Sequence, residues 1–147
     1  MRILVVNGPN LNMLGTRELQ VYGSITLADI EGKVQETAGS LGVEIAFFQS
    51  NHEGEIIDYL QREAPAAAGI IINPGAFSHY SYAIRDAIGA TGLPAVEVHI
   101  SNIYAREPFR HHSVIAGAVR GQVAGLGWRS YTAGLTALVQ ILQETNP

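Results

Sequence analysis

The segment NGPNLNMLGTRELQVYG, residues 7–23, contains two side chains that together could form a base. Tyr22 carries a phenol, which accepts a proton readily only when it is ionised. Arg17 lies in the same loop and is always charged, and a guanidinium close to a phenol favours the phenolate form. Gly15 and Gly23 would allow the loop to open and close like a lid. A half-buried tyrosine without a chemical role is the alternative interpretation.

A second group of candidates lies in the segment EVHISN, residues 97–102. Successive side chains of a strand point to opposite faces, so Glu97 and His99 share a face and the carboxylate can orient the imidazole. The backbone amide of Ile100 and the hydroxyl of Ser101 come at the strand end, where a turn can bind a carboxylate. The segment therefore predicts an acid–base histidine beside an anion site. A surface histidine beside an unrelated glutamate is the alternative.

Two further segments supply polar groups that suit an oxygen-rich or anionic ligand. NPGAFSH begins with Asn73 and ends with His79, and both side chains can hydrogen-bond to hydroxyl groups. REPFRHH supplies Arg106 and Arg110, which could provide positive charge for an anion. An ordinary strand-to-helix turn and an ordinary solvated loop are the alternatives for these two segments.

Apolar, strand-like runs alternate with amphipathic segments along the chain, and these are the elements that must position the candidates. Strands are predicted over residues 2–7, 43–49, 69–73, 94–99 and 118–124. Helices are predicted over residues 27–41, 52–63, 79–91 and 128–145. Thr26 and Gly42 are the expected N-terminal cap and C-terminal glycine of the first helix, and Asn51 is the expected cap of the second.

This alternation predicts a single α/β domain over residues 1–147, with a doubly wound, five-stranded parallel sheet and helices on both faces. Ligands of such sheets bind at the carboxyl ends of the strands. The polar residues that follow the first, third and fourth strands are therefore expected to converge at one edge of the sheet. They are Asn10, Arg17, Tyr22, Asn73, Gly75, His79, His99, Ser101, Arg106 and Arg110.

The composition excludes several classes of protein and favours self-association. Charged residues make up 15% of the 147 residues, against roughly 25% in an average soluble protein. So few charges on a small domain indicate that part of its surface contacts other copies, which predicts a homo-oligomer. The net charge of −4 and the lack of a basic run exclude the electrostatic footprint of a nucleic-acid-binding protein.

No metal site, disulfide or membrane segment is expected. The chain has no cysteine, which excludes a thiolate metal site and a cysteine nucleophile. His111 and His112 are adjacent, so their side chains diverge, and no HxxxH pair occurs. No apolar run approaches the length of a membrane span, and no leader-like segment begins the chain. These features predict a cytoplasmic protein without membrane contact.

Four segments taken together are similar to one enzyme family. NGPNLNMLGTRE with YG, INPGAFSHYSYAIRDA, EVHISN and REPFRHHS resemble, in that order and over nearly the whole chain, the type II 3-dehydroquinate dehydratases. The resemblance implies a flavodoxin-like fold and a lyase that dehydrates 3-dehydroquinate to 3-dehydroshikimate in the shikimate pathway of aromatic amino acid biosynthesis. It also implies a dodecamer built from trimers, which would explain the sparse surface charge.

The resemblance implies a chemical role for five side chains. Tyr22 would abstract the α-proton of the substrate, and Arg17 would stabilise the phenolate and the transition state. Asn10 would hold a water molecule that stabilises the enolate. His99, supported by Glu97, would protonate the departing hydroxyl.

The resemblance implies substrate contacts for a second set of residues. Those expected at the substrate carboxylate and nearby groups are Asn73, Ile100 and Ser101. His79 and Arg110 would hold the ring hydroxyls, Asp86 would reach in from a neighbouring subunit, and Arg106 matches a lid residue. The chain departs from the family pattern at residues 19–21, where Leu-Gln-Val replaces the usual proline and acidic residue. This change is expected to alter the stiffness of the lid while both catalytic positions stay filled.

The chemistry of a β-hydroxy ketone fits these residues, and other classes of protein fit less well. The enolate needs electrostatic help and the hydroxyl needs an acid, and a phenolate with an imidazole meets both needs without a cofactor. A phospho-receiver would need aspartates at strand ends, whereas Asp29, Asp58 and Asp86 follow no predicted strand. A flavin module would need a glycine-rich phosphate loop after the first strand. A Schiff-base mechanism would need Lys33, the chain's single lysine, which lies on the first predicted helix away from the strand ends.

Overall fold

Five strands form one parallel sheet in the computed structural model, which describes residues 1–145. The strands are β1 (Arg2–Asn7), β2 (Glu44–Gln49), β3 (Gly69–Asn73), β4 (Ala95–His99) and β5 (Gly121–Ala124). Their order across the sheet is β2-β1-β3-β4-β5, which is the order of the flavodoxin-like fold that the family resemblance implied. The chain direction across the sheet reverses between β1 and β3, so the ligand crevice is expected outside the carboxyl ends of these strands.

Helices cover both faces of the sheet. They are α1 (Leu19–Tyr22), α2 (Leu27–Leu41), α3 (Glu53–Glu63), α4 (Tyr82–Thr91) and α5 (Arg129–Thr145). Alternate side chains of β1 enter the two cores: Ile3 packs with α2 and α5, and Leu4 packs with α3 and α4. Each such buried side chain contributes about 1.5–3 kcal/mol, so both faces hold the strand ends in place. Within residues 1–145, no helix is long and apolar enough to cross a membrane.

Local capping signals explain where α2 begins and ends. The Thr26 hydroxyl accepts a hydrogen bond from the Asp29 amide (3.1 Å), and the Asp29 carboxylate accepts one from the Thr26 amide (3.0 Å). This reciprocal pair is a capping box, and the backbone hydrogen bond from Thr26 holds the pKa of Asp29 below its usual value. Gly42 ends the helix in the left-handed conformation, with φ of 70°. The predicted bounds of this helix are confirmed.

The predicted starts of the following elements differ from those in the structure, in the first two cases because a side chain forms a different bond. The Asn51 carboxamide does not cap α3 but accepts a hydrogen bond from the Asn10 amide (2.9 Å), and α3 begins after His52. The helix predicted from residue 79 begins at Tyr82, because Ser81 caps it by accepting a bond from the Ile84 amide (3.0 Å). The strand predicted from residue 118 begins later, because residues 116–118 form a 3-10 turn.

Candidate active site

A cleft of about 120 Å³ opens where the loops after β1, β3 and β4 meet. Predicted site residues that line it are Asn10, Arg17, Tyr22, Asn73, His79, His99, Ile100, Ser101, Arg106 and Arg110. Glu97 lies beneath His99 with its side chain fully buried. Asp86 is exposed on α4 and does not line this cleft. The parallel topology therefore brings together polar groups from three separate loops, as expected for a ligand site.

The floor of the cleft depends on a direct contact between two loop backbones. The Gly8 amide donates to the Asn73 carbonyl oxygen at 2.8 Å. A Cβ at Gly8 would lie 2.4 Å from the Pro74 carbonyl oxygen, so only glycine allows this approach. Asn10 then adopts a left-handed conformation, with φ of 68°, which asparagine tolerates. The turn carries the chain over the end of the sheet and toward the lid.

Two guanidinium groups surround the Tyr22 phenol. Arg106 Nη1 donates to the Tyr22 hydroxyl oxygen at 2.9 Å and to the Ser101 hydroxyl at 3.2 Å. The guanidinium carbon of Arg17 lies 4.8 Å from the centre of the Tyr22 ring, while its Nη2 donates to the Glu18 carboxylate at 2.9 Å. Both guanidinium groups therefore place positive charge beside the phenol. The sequence analysis predicted Arg17 as the partner of the phenol, but the hydrogen bond to the phenol oxygen comes from Arg106.

Glu97 and His99 form a buried pair at the end of β4. The Nε2 atom of His99 lies 2.5 Å from Glu97 Oε2, and the glutamate side chain has no solvent exposure. Since a carboxylate accepts, Nε2 carries the proton of this bond and Nδ1 is the nitrogen available to a ligand. Glu97 therefore fixes the orientation of the imidazole and leaves Nδ1 as the atom that can exchange a proton with a ligand.

His79 supplies a neutral imidazole to the same cleft. Its Nδ1 lies 3.1 Å from the His112 carbonyl oxygen, which can only accept, so Nδ1 carries the proton and Nε2 is an acceptor. Burial, with a smaller contribution from the charge of Arg110, lowers the pKa of His79 below 6.5. The ring therefore stays neutral at pH 7 and becomes charged only as the pH falls through that lowered pKa. In the neutral form Nε2 can accept a hydrogen bond from a ligand hydroxyl.

Comparison with known proteins places the chain in one family. Residues 1–139 match the family model described as dehydroquinase class II. The chain belongs to the class II dehydroquinase family. It is 57% identical over 139 residues to a 3-dehydroquinate dehydratase of Roseiflexus castenholzii, covering 95% of this chain and 88% of that protein. It is 56% identical to one of Caldicellulosiruptor bescii, covering 96% of this chain and 98% of that protein.

The fold of this class II dehydroquinase is also that of a solved relative. The type II dehydroquinase from Butyrivibrio crossotus superposes with a TM-score of 0.91 at 46% identity, covering 94% of this chain and 97% of that chain. The predicted family, the flavodoxin-like α/β fold and the prediction that the chain is a hydro-lyase are confirmed. Within residues 1–145, no group of three or more His, Asp or Glu side chains could hold a metal ion.

A buried polar network that was not predicted from the sequence lies beneath the cleft of this dehydroquinase. The Tyr131 hydroxyl donates to Asn7 Oδ1 at 2.6 Å and accepts from Asn73 Nδ2 at 2.9 Å. Asn73 Oδ1 accepts in turn from the Gly75 amide at 3.1 Å. Burial raises the pKa of Tyr131, so it stays a neutral phenol that can donate. The network fixes the Asn73 carboxamide and leaves one of its N–H groups for a ligand.

Tyr131→Phe is expected to lower the free energy of unfolding by about 1–3 kcal/mol, because it leaves buried groups of Asn7 and Asn73 without their partner. Urea denaturation of the two proteins measures the difference. Tyr59→Phe is the matched control, since Tyr59 is also buried but its hydroxyl has no hydrogen-bond partner among the described residues. The control is expected to change by less than about 0.5 kcal/mol. Equal losses in the two variants would contradict the importance of the network.

Proposed function

We propose that this chain dehydrates 3-dehydroquinate to 3-dehydroshikimate, with Tyr22 as base and His99 as acid, in the shikimate pathway. One observation carries the proposal: a phenol flanked by two guanidinium groups shares a cleft with a buried histidine–glutamate pair. The relatives named 3-dehydroquinate dehydratase support the choice of substrate. Acid and base on separate loops suit an elimination from a β-hydroxy ketone.

The first step is removal of the proton α to the ketone. The Tyr22 phenolate takes this proton, and the electron pair of the C–H bond forms the enolate. Arg106 and Arg17 keep positive charge beside the phenol throughout, which stabilises the phenolate before the transfer. Asn10 lines the same cleft and holds a water molecule against the enolate oxygen.

The second step is loss of the hydroxyl. The imidazolium of His99 gives the proton on Nδ1 to the departing hydroxyl, which leaves as water, while the enolate electron pair forms the new C=C bond. Glu97 keeps the ring oriented through its bond to Nε2 (2.5 Å) and stabilises the charge that precedes transfer. The substrate loses one water molecule with no change of oxidation state, so the reaction needs no redox cofactor. Transfer of one proton from the Tyr22 phenol to the His99 imidazole restores both groups for the next turnover.

The remaining cleft residues bind and enclose the substrate. Its carboxylate is held by residues whose amides or side chains face the strand ends: Asn73, Ile100 and Ser101. The acceptor Nε2 of His79 and the guanidinium of Arg110 hold the ring hydroxyls. Arg106 joins Tyr22 on the lid to Ser101 on the loop after β4, so it closes the cleft over the bound molecule.

We propose that the site is completed by a neighbouring copy within a dodecamer of trimers. Asp86 is exposed on α4, outside the cleft of its own chain. Two tyrosines lie close to Asp86 in the sequence. Tyr80 and Tyr82 are 59% and 68% exposed, which is unusual for side chains of this size. A contact between copies at this surface would cover the two tyrosines and bring Asp86 to a neighbour's cleft.

Mixing two inactive variants tests the shared site. Asp86→Ala subunits keep Tyr22, and Tyr22→Phe subunits keep Asp86, so mixed oligomers contain some clefts in which both groups are intact. Activity is expected to reappear when the two variants are unfolded together and refolded. Each variant refolded alone is the control. Absence of recovery in oligomers verified by mass to contain both subunits would exclude a shared site.

Direct turnover tests the proposed reaction. Incubation of the purified protein with 3-dehydroquinate is expected to produce the absorbance of a conjugated enone, because dehydration places the new C=C bond next to the ketone. The product is identified by mass, which falls by one water molecule. A folded oligomer that produces no enone and no mass change would refute the proposed function.

A further inference from the structure

We propose that Ser113 is a positioning residue that holds Glu97, and through it His99, in the geometry for proton delivery. The inference rests on the proposed role of His99 as the acid. Ser113 lies at the end of the REPFRHHS segment, in the loop between β4 and β5. Its hydroxyl donates to Glu97 Oε1 at 2.8 Å and lies 3.1 Å from Oε2.

The Glu97 carboxylate depends on two donors. Its side chain has no solvent exposure, so water does not replace a missing hydrogen bond, and a buried charge without such bonds is costly. Among residues 1–145, His99 and Ser113 are its hydrogen-bond partners. His99 donates its hydrogen bond to Oε2, so Ser113 is the hydrogen-bond donor to Oε1. A carboxylate held at one oxygen alone could rotate about its terminal bond and carry the imidazole with it.

The orientation of the Ser113 hydroxyl is itself determined by the backbone. Its oxygen accepts hydrogen bonds from the Ile115 amide (3.2 Å) and the Ala116 amide (3.1 Å). With its lone pairs engaged, the single hydroxyl proton is left for Glu97. A continuous chain of hydrogen bonds therefore runs from backbone amides through Ser113 and Glu97 to His99. Groups in such a chain polarise one another.

The other charged groups of the cleft do not substitute for Ser113. The titratable or cationic side chains that face His99 across the cleft are Tyr22, His79, Arg17, Arg106 and Arg110. None of the described hydrogen bonds of these side chains reaches the Glu97 carboxylate; His79 interacts with the pair only through charge. Loss of the Ser113 hydroxyl would therefore leave Oε1 without a donor.

Steady-state kinetics of Ser113→Ala test the proposal against a matched control. We expect kcat to fall at least about tenfold, which is about 1.4 kcal/mol in activation free energy, with KM changed by less than about threefold. Ser113→Thr keeps the hydroxyl and is expected to restore kcat. Ser81→Ala is the control, because Ser81 is also buried, accepts from a backbone amide and donates to a carboxylate, that of Glu53. It should keep kcat within about twofold.

A measurement without substrate separates this proposal from the proposed function. The Nε2 proton of His99, held in a short bond to a carboxylate, is expected to give a strongly downfield proton NMR signal that disappears in His99→Gln. In Ser113→Ala that signal should shift or broaden, and in Ser81→Ala it should stay in place. An unmoved signal together with an unchanged kcat in Ser113→Ala would overturn the role of Ser113. If the wild-type protein has no dehydratase activity, the proposed function fails while the NMR comparison still decides the hydrogen-bond chain.

Should Ser113→Ala fail to fold, Ser113→Cys keeps a group of similar size with a weaker donor. Ser113→Cys is expected to have a kcat between that of Ser113→Thr and that of His99→Gln, with the NMR signal displaced. Urea denaturation of each variant shows whether the protein assayed is folded. A folded Ser113→Cys protein with wild-type kcat and an undisplaced signal would also overturn the proposal.

Discussion

Tyr22→Phe is expected to lower kcat by about 10²–10⁴-fold, the usual contribution of a general base. The substitution removes only the phenol oxygen, so it deletes the proton acceptor and the hydrogen bond from Arg106 Nη1 (2.9 Å) while keeping the ring in place. Steady-state rates measured by enone absorbance give kcat, and calorimetric titration with a substrate-like ring acid gives binding. Binding is expected to be largely retained, because the phenol contributes to the chemistry rather than to recognition.

Lys33→Ala is the control for Tyr22→Phe. Lys33 lies on α2 with its Nζ 5.0 Å from the centre of the Trp128 ring, and it does not line the cleft. The variant should therefore keep near-normal activity, and borohydride added with substrate should leave no adduct. A Tyr22→Phe protein that retains more than about a tenth of wild-type kcat would contradict the role of the phenolate. An adduct on Lys33 would contradict the enolate route altogether.

His99→Gln is also expected to lower kcat by about 10²–10⁴-fold, but by blocking a different step. Glutamine keeps an N–H group that can donate a hydrogen bond to the buried Glu97 carboxylate. A carboxamide N–H is not acidic, so it cannot protonate the departing hydroxyl. Tyr22 stays intact, so α-proton removal continues. In D₂O, the recovered substrate should therefore gain deuterium at the α-position while product formation is slow, as measured by NMR and mass spectrometry.

The isotope experiment distinguishes the two roles within one assay. Tyr22→Phe should abolish both deuterium uptake and product formation, because both need the base. His99→Gln should keep uptake and lose product. If both variants lost uptake equally, while each bound the ring acid normally, His99 would not be acting as the acid for the leaving group.

Local sequence signals determined most of the elements and the architecture. The capping residues Thr26 and Gly42 bound α2 as predicted, and the apolar runs of β1 and β3 have the predicted bounds. These signals act over a few residues, through backbone hydrogen bonds and the spacing of apolar side chains. The alternation of strands and helices then implied a parallel sheet, and its topology placed the loops after β1, β3 and β4 together. The motif segments indicated the family.

Two short segments differ from what these local sequence signals predicted. The one-turn helix α1 (Leu19–Tyr22) was not predicted, since four residues are too few for a periodic pattern. It begins after Glu18, whose left-handed conformation (φ 42°) is rare for this residue type. Asn51 is a residue type that favours helix caps, but its side-chain oxygen instead accepts a hydrogen bond from the Asn10 backbone amide. At Asn51, a contact with a distant loop thus outweighs a weak local preference.

The long-range hydrogen bonds of the site were decided by the tertiary structure. Arg106 and Tyr22 are 84 residues apart, Tyr131 and Asn7 are 124 apart, and Ser113 and Glu97 are 16 apart across a loop. The sequence shows that each side chain can donate or accept, but every serine and tyrosine shares that ability. Which donor meets which acceptor depends on how the sheet, α5 and the loops pack, and burial then makes each bond necessary by excluding water. The residue types of the chemistry and the Glu97–His99 pair within β4 are thus local information, whereas the long-range partners follow from packing.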